Sequence, residues 1–238
     1  MEIIVISGSS FDIAIQTAHR LISDGASLLI GFGGGTVLDT AKYAAYIAKI
    51  PYIAIPTTLS NDGLASPISV LSIEGKRKKS LGARIPKGLI IDIDILSNAP
   101  VMLLQAGIGD TLSNYTALHD WVLDCRANGS RRNDFAYMLS ELAFNALFYS
   151  NVINMNSKQC LKMLAESLVL SGLAMEIAGN SRPCSGSEHL FSHALDELYG
   201  LNIPHGLQVA LGSIVACMLQ KRDHFMLLNY LQSYNISV

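Results

Sequence analysis

Charged residues are scarce in this sequence, and neither sign dominates. They make up 15% of the 238 residues, and the formal net charge is −2. A nucleic-acid-binding surface needs an excess of basic residues, so we expect no nucleic-acid partner. The one basic run, Lys76 to Lys79, lies between two strand-like segments, and this setting predicts a solvated hairpin turn.

The sequence also lacks CxxC motifs, long apolar runs and the features of an N-terminal signal peptide. The four cysteines form no CxxC motif, which favours reduced thiols in a cytosolic protein. No apolar run reaches the roughly 18 residues that a membrane helix needs, so we expect no stable membrane insertion. The first five residues carry neither a basic region nor a cleavage site, and the expected location is the cytoplasm.

Half of the residues are hydrophobic, which is typical of a well-buried globular protein. Their periodicity predicts strands alternating with helices first, and helices alone afterwards. The alternating order is typical of a parallel α/β sheet, and ligands bind at the carboxyl ends of such strands. We therefore predict an α/β domain over residues 1–96 and an all-helical domain over residues 97–238. The predicted strands are 2–7, 27–30, 52–55, 67–73 and 88–93, and the predicted early helices are 11–24 and 37–50.

Three consecutive glycines, Gly33 to Gly35, stand between the second strand and the second helix. Backbone without side chains lets a ligand approach closely, and a helix start offers free N–H groups and the positive end of a dipole. This arrangement favours a phosphate or pyrophosphate site. The stretch matches neither GxGxxG nor the P-loop motif, so a plain tight turn is the alternative. Residues 56–63 would lie at the same edge of the sheet.

Histidines and one aspartate stand out in the helical part. His189 and His193 are four residues apart, which places them on one helix face. His205 follows Pro204 at the start of another predicted helix. Asp110 stands at the predicted start of a helix, where an N-cap is the alternative role. Together these side chains can supply imidazole and carboxylate ligands to a divalent metal and leave a position open for substrate.

Four motifs, in this order, resemble the iron-containing alcohol dehydrogenase and dehydroquinate synthase superfamily. Their wording is closest to the sn-glycerol-1-phosphate dehydrogenase group, and the match runs from about Ile30 to Gly212. The first two motifs are Gly33-Gly34-Gly35-Thr36-Val37-Leu38-Asp39-Thr40-Ala41-Lys42 and Pro56-Thr57-Thr58-Leu59-Ser60-Asn61-Asp62-Gly63-Leu64-Ala65-Ser66-Pro67. The third is Gly109-Asp110-Thr111-Leu112-Ser113-Asn114-Tyr115-Thr116-Ala117, and the fourth is Arg182-Pro183-Cys184-Ser185-Gly186-Ser187-Glu188-His189 with Ser192-His193, followed by His205-Gly206.

The resemblance implies a role for each matching position. A divalent metal, zinc with nickel or iron as alternatives, would be held by Asp110, His189 and His205. Substrate would contact Asp62, Asp110 and His193, and of these Asp110 and His193 would be catalytic. NAD or NADP would bind along both early motifs. The residues implied for the cofactor are Gly34, Gly35, Thr36, Val37, Leu38, Asp39, Thr57, Thr58, Ser60 and Ser66.

The resemblance also implies a reaction, the interconversion of dihydroxyacetone phosphate and sn-glycerol 1-phosphate, a phospholipid precursor. The alternatives are a related enzyme acting on another phosphorylated or cyclitol substrate, and a degenerate homologue without activity. The donors for the substrate phosphate are not apparent from the motifs. Arg182 and Lys42 are candidates by residue type alone.

The chain departs from the family pattern in three places. Family members have a βαβ unit before the segment that corresponds to residues 1–25, so the Rossmann-like sheet here is expected to be incomplete. They also continue with further helices after the His205 helix. That helix would then expose an apolar face, which predicts either a homo-oligomer or a fragment; its residues are Leu211, Ile214, Val215, Met218 and Leu219. Finally, Asn61 replaces an expected histidine.

Overall fold

The computed structural model describes residues 2–73, 77–150, 154–155, 157–200 and 203–237. Its first part mixes strands and helices, and its second part is helical. The first part contains α1 (Phe11–Ser23), β1 (Leu29–Gly33), α2 (Gly35–Ala48), β2 (Tyr52–Pro56), a 3-10 turn (Asp62–Leu64), β3 (Ile68–Ile73), β4 (Arg77–Gly82) and β5 (Gly88–Leu89). The second contains α3 (Ile93–Leu96), α4 (Val101–Leu112), α5 (Asn114–Asn128), α6 (Asp134–Phe148), α7 (Lys158–Ala178), α8 (Ser187–Tyr199), α9 (His205–Leu219) and α10 (His224–Ser233).

The parallel sheet has the order β1-β2-β5 and confirms the predicted α/β class. Gly33 pairs with Pro56 in the register of β1 and β2. Because the carboxyl ends of these two strands meet, the glycine turn and the segment after Pro56 leave the sheet at one edge. The early helices also lie close to their predicted positions. Ser10 caps α1 through its hydroxyl, and Gly25 follows its end with a φ of 63°.

The prediction of a strand over residues 2–7 is wrong. This segment has no regular structure, and the side chains of Ile3 and Val5 are 76% and 90% exposed. A strand exists only where a neighbour satisfies its backbone groups. This end of the chain is joined to β3 by an isolated bridge between Ser10 and Ser72 and by hydrogen bonds from the Ser72 N–H and hydroxyl to Ser9 O. The apolar pattern alone therefore did not identify a strand.

The predicted hairpin turn at the basic run is also wrong. Residues 77–79 lie inside β4, which pairs antiparallel with β3 from Ile68–Gly82 to Ile73–Arg77. Lys76 lies outside the described residues. The strand predicted over residues 88–93 is limited to Gly88 and Leu89, which pair with β2. Basic side chains fit an exposed strand of a small sheet, where they face water.

Asp110 lies in the last turn of α4 and not at the start of a helix, so the N-cap alternative is wrong. The chain passes from α4 to α5 through Ser113 alone. One continuous core joins the two parts of the chain, since Leu38 and Ala54 cluster with Leu104 and Leu161. The domain division at residue 96 stays a prediction. In the part of the chain that the model describes, no helix combines the length and the apolar character needed to cross a membrane.

Candidate metal and nucleotide site

A close crossing of α4 and α9 positions the candidate site. A Cβ at Gly206 would overlap the carbonyl oxygen of Ala106, and a Cβ at Gly109 would overlap the carbonyl oxygen of Gly206. Only glycine lets the two helix backbones come this near. The crossing places Asp110, one residue after Gly109, beside His205, one residue before Gly206.

Three potential metal ligands converge at this crossing. His189 Nε2 lies 3.8 Å from Asp110 Oδ1, and His205 Nε2 lies 3.9 Å from the same oxygen. The three donor atoms lie within 4.8 Å of one another. Zinc binds imidazole nitrogen and carboxylate oxygen at about 2.0–2.2 Å, so a cation between these atoms needs only small side-chain adjustments. Three ligands also leave a fourth position for water or substrate, as in catalytic zinc sites.

Glu188 orients His189. His189 Nδ1 lies 3.0 Å from Glu188 Oε1, and Glu188 is fully buried. The other carboxylate oxygen accepts a hydrogen bond of 2.9 Å from the Thr116 hydroxyl. The Gly186 N–H donates to Oε1. A hydrogen bond at Nδ1 leaves Nε2 with its lone pair directed at the cation position, which is the usual support of a metal-binding histidine.

A chain of hydrogen bonds fixes His205. The Ser192 hydroxyl donates to Gln208 Oε1 over 3.0 Å, so its oxygen is left to accept from His205 Nδ1, also 3.0 Å away. Gln208 Nε2 in turn donates to Asp196 Oδ1 over 2.8 Å. This direction of bonding puts the His205 proton on Nδ1 and frees Nε2 for a metal.

The pKa values of the two histidines shift in opposite directions because their surroundings differ. Burial lowers the pKa of His189, but its hydrogen bond to Glu188 and the nearby carboxylates outweigh burial and raise that pKa overall. Burial, and then the charge of His189, hold the pKa of His205 well below its ordinary value. Metal binding needs both imidazoles neutral, and a cation would therefore displace the proton that the carboxylates favour on His189.

His193 lies next to this group but outside it. Its ring centre is 6.4 Å from that of His205. The side chain is partly exposed, and burial, followed by the charge of His189, lowers its pKa. The structure thus places His189 in the candidate ligand group and His193, on the same helix, beside it.

The loop after β2 reaches Asp110 from the sheet side. The Asp62 N–H donates to Asp110 Oδ2 over 2.9 Å. Asn61, at the position of the expected histidine, caps the 3-10 turn by accepting 2.9 Å from the Gly63 N–H. Burial, and then the carboxylate of Asp110, raise the pKa of Asp62. A cation between these carboxylates would relieve their repulsion.

Lys42 ties the helix after the glycine turn to that loop. Its side chain is 1% exposed, and its Nζ donates to the carbonyl oxygens of Gly63 and Ile68 over 2.5 and 2.6 Å. Asp39 Oδ1 lies 3.5 Å away. All three donor directions of the ammonium group are thus occupied inside the protein. Lys42 is not a phosphate donor, and Arg182 is paired with Asp124 at 3.3 Å.

Replacing Lys42 by methionine should destabilise the chain by about 3 kcal/mol, because a buried partner is removed and two carbonyl oxygens and Asp39 lose their donor. Chemical denaturation of the metal-free chain measures this. Lys162→Met is the matched control, since Lys162 is 71% exposed on α7, and we expect a change below about 0.5 kcal/mol there. Equal stability of the two variants would contradict the role assigned to Lys42.

The glycine turn forms an open cradle at the start of α2. Gly34 is the N-cap and has no side chain to satisfy the first N–H groups of the helix. A Cβ there would lie 3.3 Å from Thr58 Oγ1, so the turn packs closely beneath Thr58. The Thr57 N–H donates to Gly33 O over 3.0 Å and holds the two loops together. Free N–H groups at a helix start suit a pyrophosphate.

Three of the residues implied for the cofactor make contacts inside the protein instead. Leu38 is 2% exposed in the core, Ser66 is 2% exposed, and the Ser66 hydroxyl donates to Ile68 O. Asp39 faces Lys42. Sequence reasoning missed Glu188, Ser192 and Gln208 as supports of the histidines. Their spacing on α8 and α9 was the available signal, because residues three or four apart share a helix face.

Comparison with known proteins agrees with this geometry. Residues 2–100 match the family model for iron-containing alcohol dehydrogenase. The chain is 41% identical over 216 residues to a glycerol-1-phosphate dehydrogenase (NAD(P)+) from Hyperthermus butylicus. Over these residues the chain is similar to iron-containing alcohol dehydrogenases. A second relative with the same enzyme name, from Saccharolobus solfataricus, is 39% identical over 220 residues. These alignments cover 88% and 92% of the chain but 61% and 62% of the relatives, so the chain spans about three fifths of their length.

Solved structures share the fold of this chain. A probable glycerol dehydrogenase from Sinorhizobium meliloti superposes with a TM-score of 0.84 at 24% identity, over 98% of this chain and 68% of that one. Sulfoacetaldehyde reductase from Bifidobacterium kashiwanohense, solved in complex with NAD+, gives 0.75 at 17% identity, over 96% and 69%. At these identities the likeness concerns the fold alone, and it confirms the predicted fold class.

Proposed function

We propose that this chain carries the catalytic centre of a cytoplasmic, metal-dependent, NAD(P)-linked oxidoreductase that interconverts dihydroxyacetone phosphate and sn-glycerol 1-phosphate. The observation that carries the proposal is the convergence of Asp110, His189 and His205 within 4.8 Å, beside a loop hydrogen-bonded to Asp110. That loop follows β2, whose end meets the glycine turn. A metal site next to a pyrophosphate cradle is the arrangement expected of a metal-dependent reductase that uses a nicotinamide cofactor.

In this proposal, the bound cation supplies a Lewis acid and the nicotinamide supplies the hydride. The residues of the chain hold and orient these groups. The cation would be held by Asp110, His189 and His205. Zinc is the expected metal, and nickel and iron are the alternatives. Gly34, Gly35 and Thr36 would bind the pyrophosphate through backbone N–H groups, and Thr57, Thr58 and Ser60 would lie towards the nicotinamide.

His193 would transfer the proton. Reduction of a ketone needs one proton for the product oxygen, and the reverse reaction releases it. Burial and the charge of His189 lower the pKa of His193, and a lowered pKa makes the charged imidazole a readier proton donor. Its partial exposure lets it recover that proton from water. Asp62 would contact the substrate from the opposite loop.

We further propose a homo-oligomer that buries the outer face of α9. Of the five residues predicted to form this face, Leu211, Met218 and Leu219 are 36%, 56% and 75% exposed, whereas Ile214 and Val215 are partly buried. The four cysteines are free thiols, which supports a reducing compartment. Sedimentation equilibrium tests the assembly: a mass that doubles or more, and falls in Leu219→Lys, is expected, whereas a monomer at all concentrations would contradict it.

The reaction is tested with the purified 238-residue chain loaded with zinc or nickel. We expect NADH or NADPH to be oxidised when dihydroxyacetone phosphate is added, and the rate to vanish after chelation and return with metal. Thermal-shift titration of the same samples with each nucleotide measures binding without turnover. No oxidation with either nucleotide and either metal would contradict the proposed reaction, and a missing nucleotide shift would favour a homologue without activity.

A further inference from the structure

A pocket opens between the candidate metal ligands and the β3–β4 hairpin. Its volume is about 370 Å³, and its lining includes Ser60 and Asn61 on one side, His205 on another, and Lys78 of β4. Met102 and Leu103 form an apolar wall. The volume suffices for a three-carbon phosphate ester, and the pocket joins the ligand His205 to a cationic side chain.

Lys78 is held in this pocket by the same helices that carry the histidines. Its Nζ lies 3.2 Å from Asp196 Oδ2. The other oxygen of Asp196 accepts from Gln208 Nε2 on α9, three residues after His205. An ammonium group has three N–H donors, and Asp196 engages one of them. The side chain is 58% exposed, so its remaining donors are open to a ligand.

The other cationic candidates do not reach this pocket. Lys42 is buried and bound to backbone carbonyls, and Arg182 pairs with Asp124 on another surface. Among the described residues that line the pocket, Lys78 is the one with a fixed positive charge. Its charge also acts on the candidate metal site. Burial and the charges of His189 and His193 lower the pKa of His205, and the charge of Lys78 lowers it further.

We propose that Lys78 binds the phosphate group of the substrate and thereby sets the preference for phosphorylated over unphosphorylated ketones. The inference rests on the proposed function, which places the carbonyl end of the substrate at Asp110, His189 and His205. A phosphate monoester carries about two negative charges at neutral pH, and it must lie away from the carboxylates of Asp62 and Asp110. Lys78 provides a cation in the pocket that His205 also lines, and Asp196 positions it.

The test compares Lys78→Met with Lys79→Met in the metal-loaded chain. Lys79 is the exposed neighbour in β4, and adjacent strand residues point to opposite faces. We expect Lys78→Met to raise the KM for dihydroxyacetone phosphate about 10- to 100-fold, the range for one charged hydrogen bond. The kcat should change little, and kcat/KM for unphosphorylated dihydroxyacetone should stay within about twofold. Lys79→Met should match the wild type with both ketones.

Binding of inorganic phosphate gives a readout that needs no turnover. We expect phosphate to raise the Tm of the metal-loaded wild type and of Lys79→Met but not of Lys78→Met, and Lys78→Arg to restore the shift in part. An equal fall in kcat/KM with both ketones would show that Lys78 has only a structural role. An unchanged KM for dihydroxyacetone phosphate together with an unchanged phosphate-induced Tm shift in Lys78→Met would overturn the inference. If the wild type reduces neither ketone, the proposed reaction fails, while the phosphate shift still decides the role of Lys78.

Discussion

Asp110→Asn should abolish metal binding while leaving the metal-free chain at least as stable as the wild type. Asparagine keeps the shape of the side chain, and its carbonyl oxygen can still accept the hydrogen bond from the Asp62 N–H. It removes the negative charge that a divalent cation needs. Because a Lewis-acid cation stabilises the charge of the transition state by several kcal/mol, loss of the cation should lower kcat/KM about a thousandfold or more.

The stability part of this prediction follows from burial. Asp110 is 4% exposed, and burial raises its pKa despite the charge of His189. A carboxyl group whose pKa is raised by folding destabilises the fold at any pH where it is ionised. Removing its charge should therefore not lower the free energy of unfolding of the metal-free chain. Zinc should raise the Tm of the wild type and of the control Asp12→Asn, an exposed position in α1. A zinc-dependent shift retained by Asp110→Asn would contradict Asp110 as a ligand.

Gly206→Ala should lower both stability and metal affinity. The new methyl group would overlap the backbone of Ala106, which cannot move as a side chain can. Overpacking of this kind costs about 3 kcal/mol even though alanine favours helices, and the Tm should fall by about 6–12 °C. Since α4 carries Asp110 and α9 carries His205, their separation should also weaken zinc binding at least about tenfold.

Gly82→Ala is the control for this variant, since a Cβ there meets nothing within 4 Å. We expect its Tm and zinc affinity to stay near those of the wild type. Differential scanning calorimetry and competition with a fluorescent chelator measure the two quantities. A Gly206→Ala chain with normal zinc affinity would show that the α4–α9 crossing does not set the ligand distances.

The histidines could be placed from the sequence because their relation is local. A spacing of four residues fixes His189 and His193 on one helix face, and Pro204 marks the start of the helix that begins at His205. The strand–glycine–helix order likewise positioned the cradle at the edge of the sheet. These features depend on neighbours in the chain and not on distant contacts.

The position of Asp110 could not be derived this way. Gly107 and Gly109 suggest a break in the sequence, and the break was placed before Asp110. In the structure both glycines lie inside α4, where they allow close approach of Leu59 and of Gly206. Whether a glycine ends a helix or permits a close approach depends on a partner distant in the chain, Leu59 for Gly107 and Gly206 for Gly109. The burial of Lys42 and the strand position of Lys78 likewise depend on distant elements.

X-ray absorption at the zinc edge of the zinc-loaded chain tests the metal centre most directly. The account predicts two imidazole nitrogens and at least one oxygen at about 2.0–2.1 Å, with loss of this signal in Asp110→Asn. Sulfur at about 2.3 Å would place the metal at a cysteine instead. A zinc ion surrounded by oxygen alone, without imidazole scattering, would also contradict a centre built from Asp110, His189 and His205.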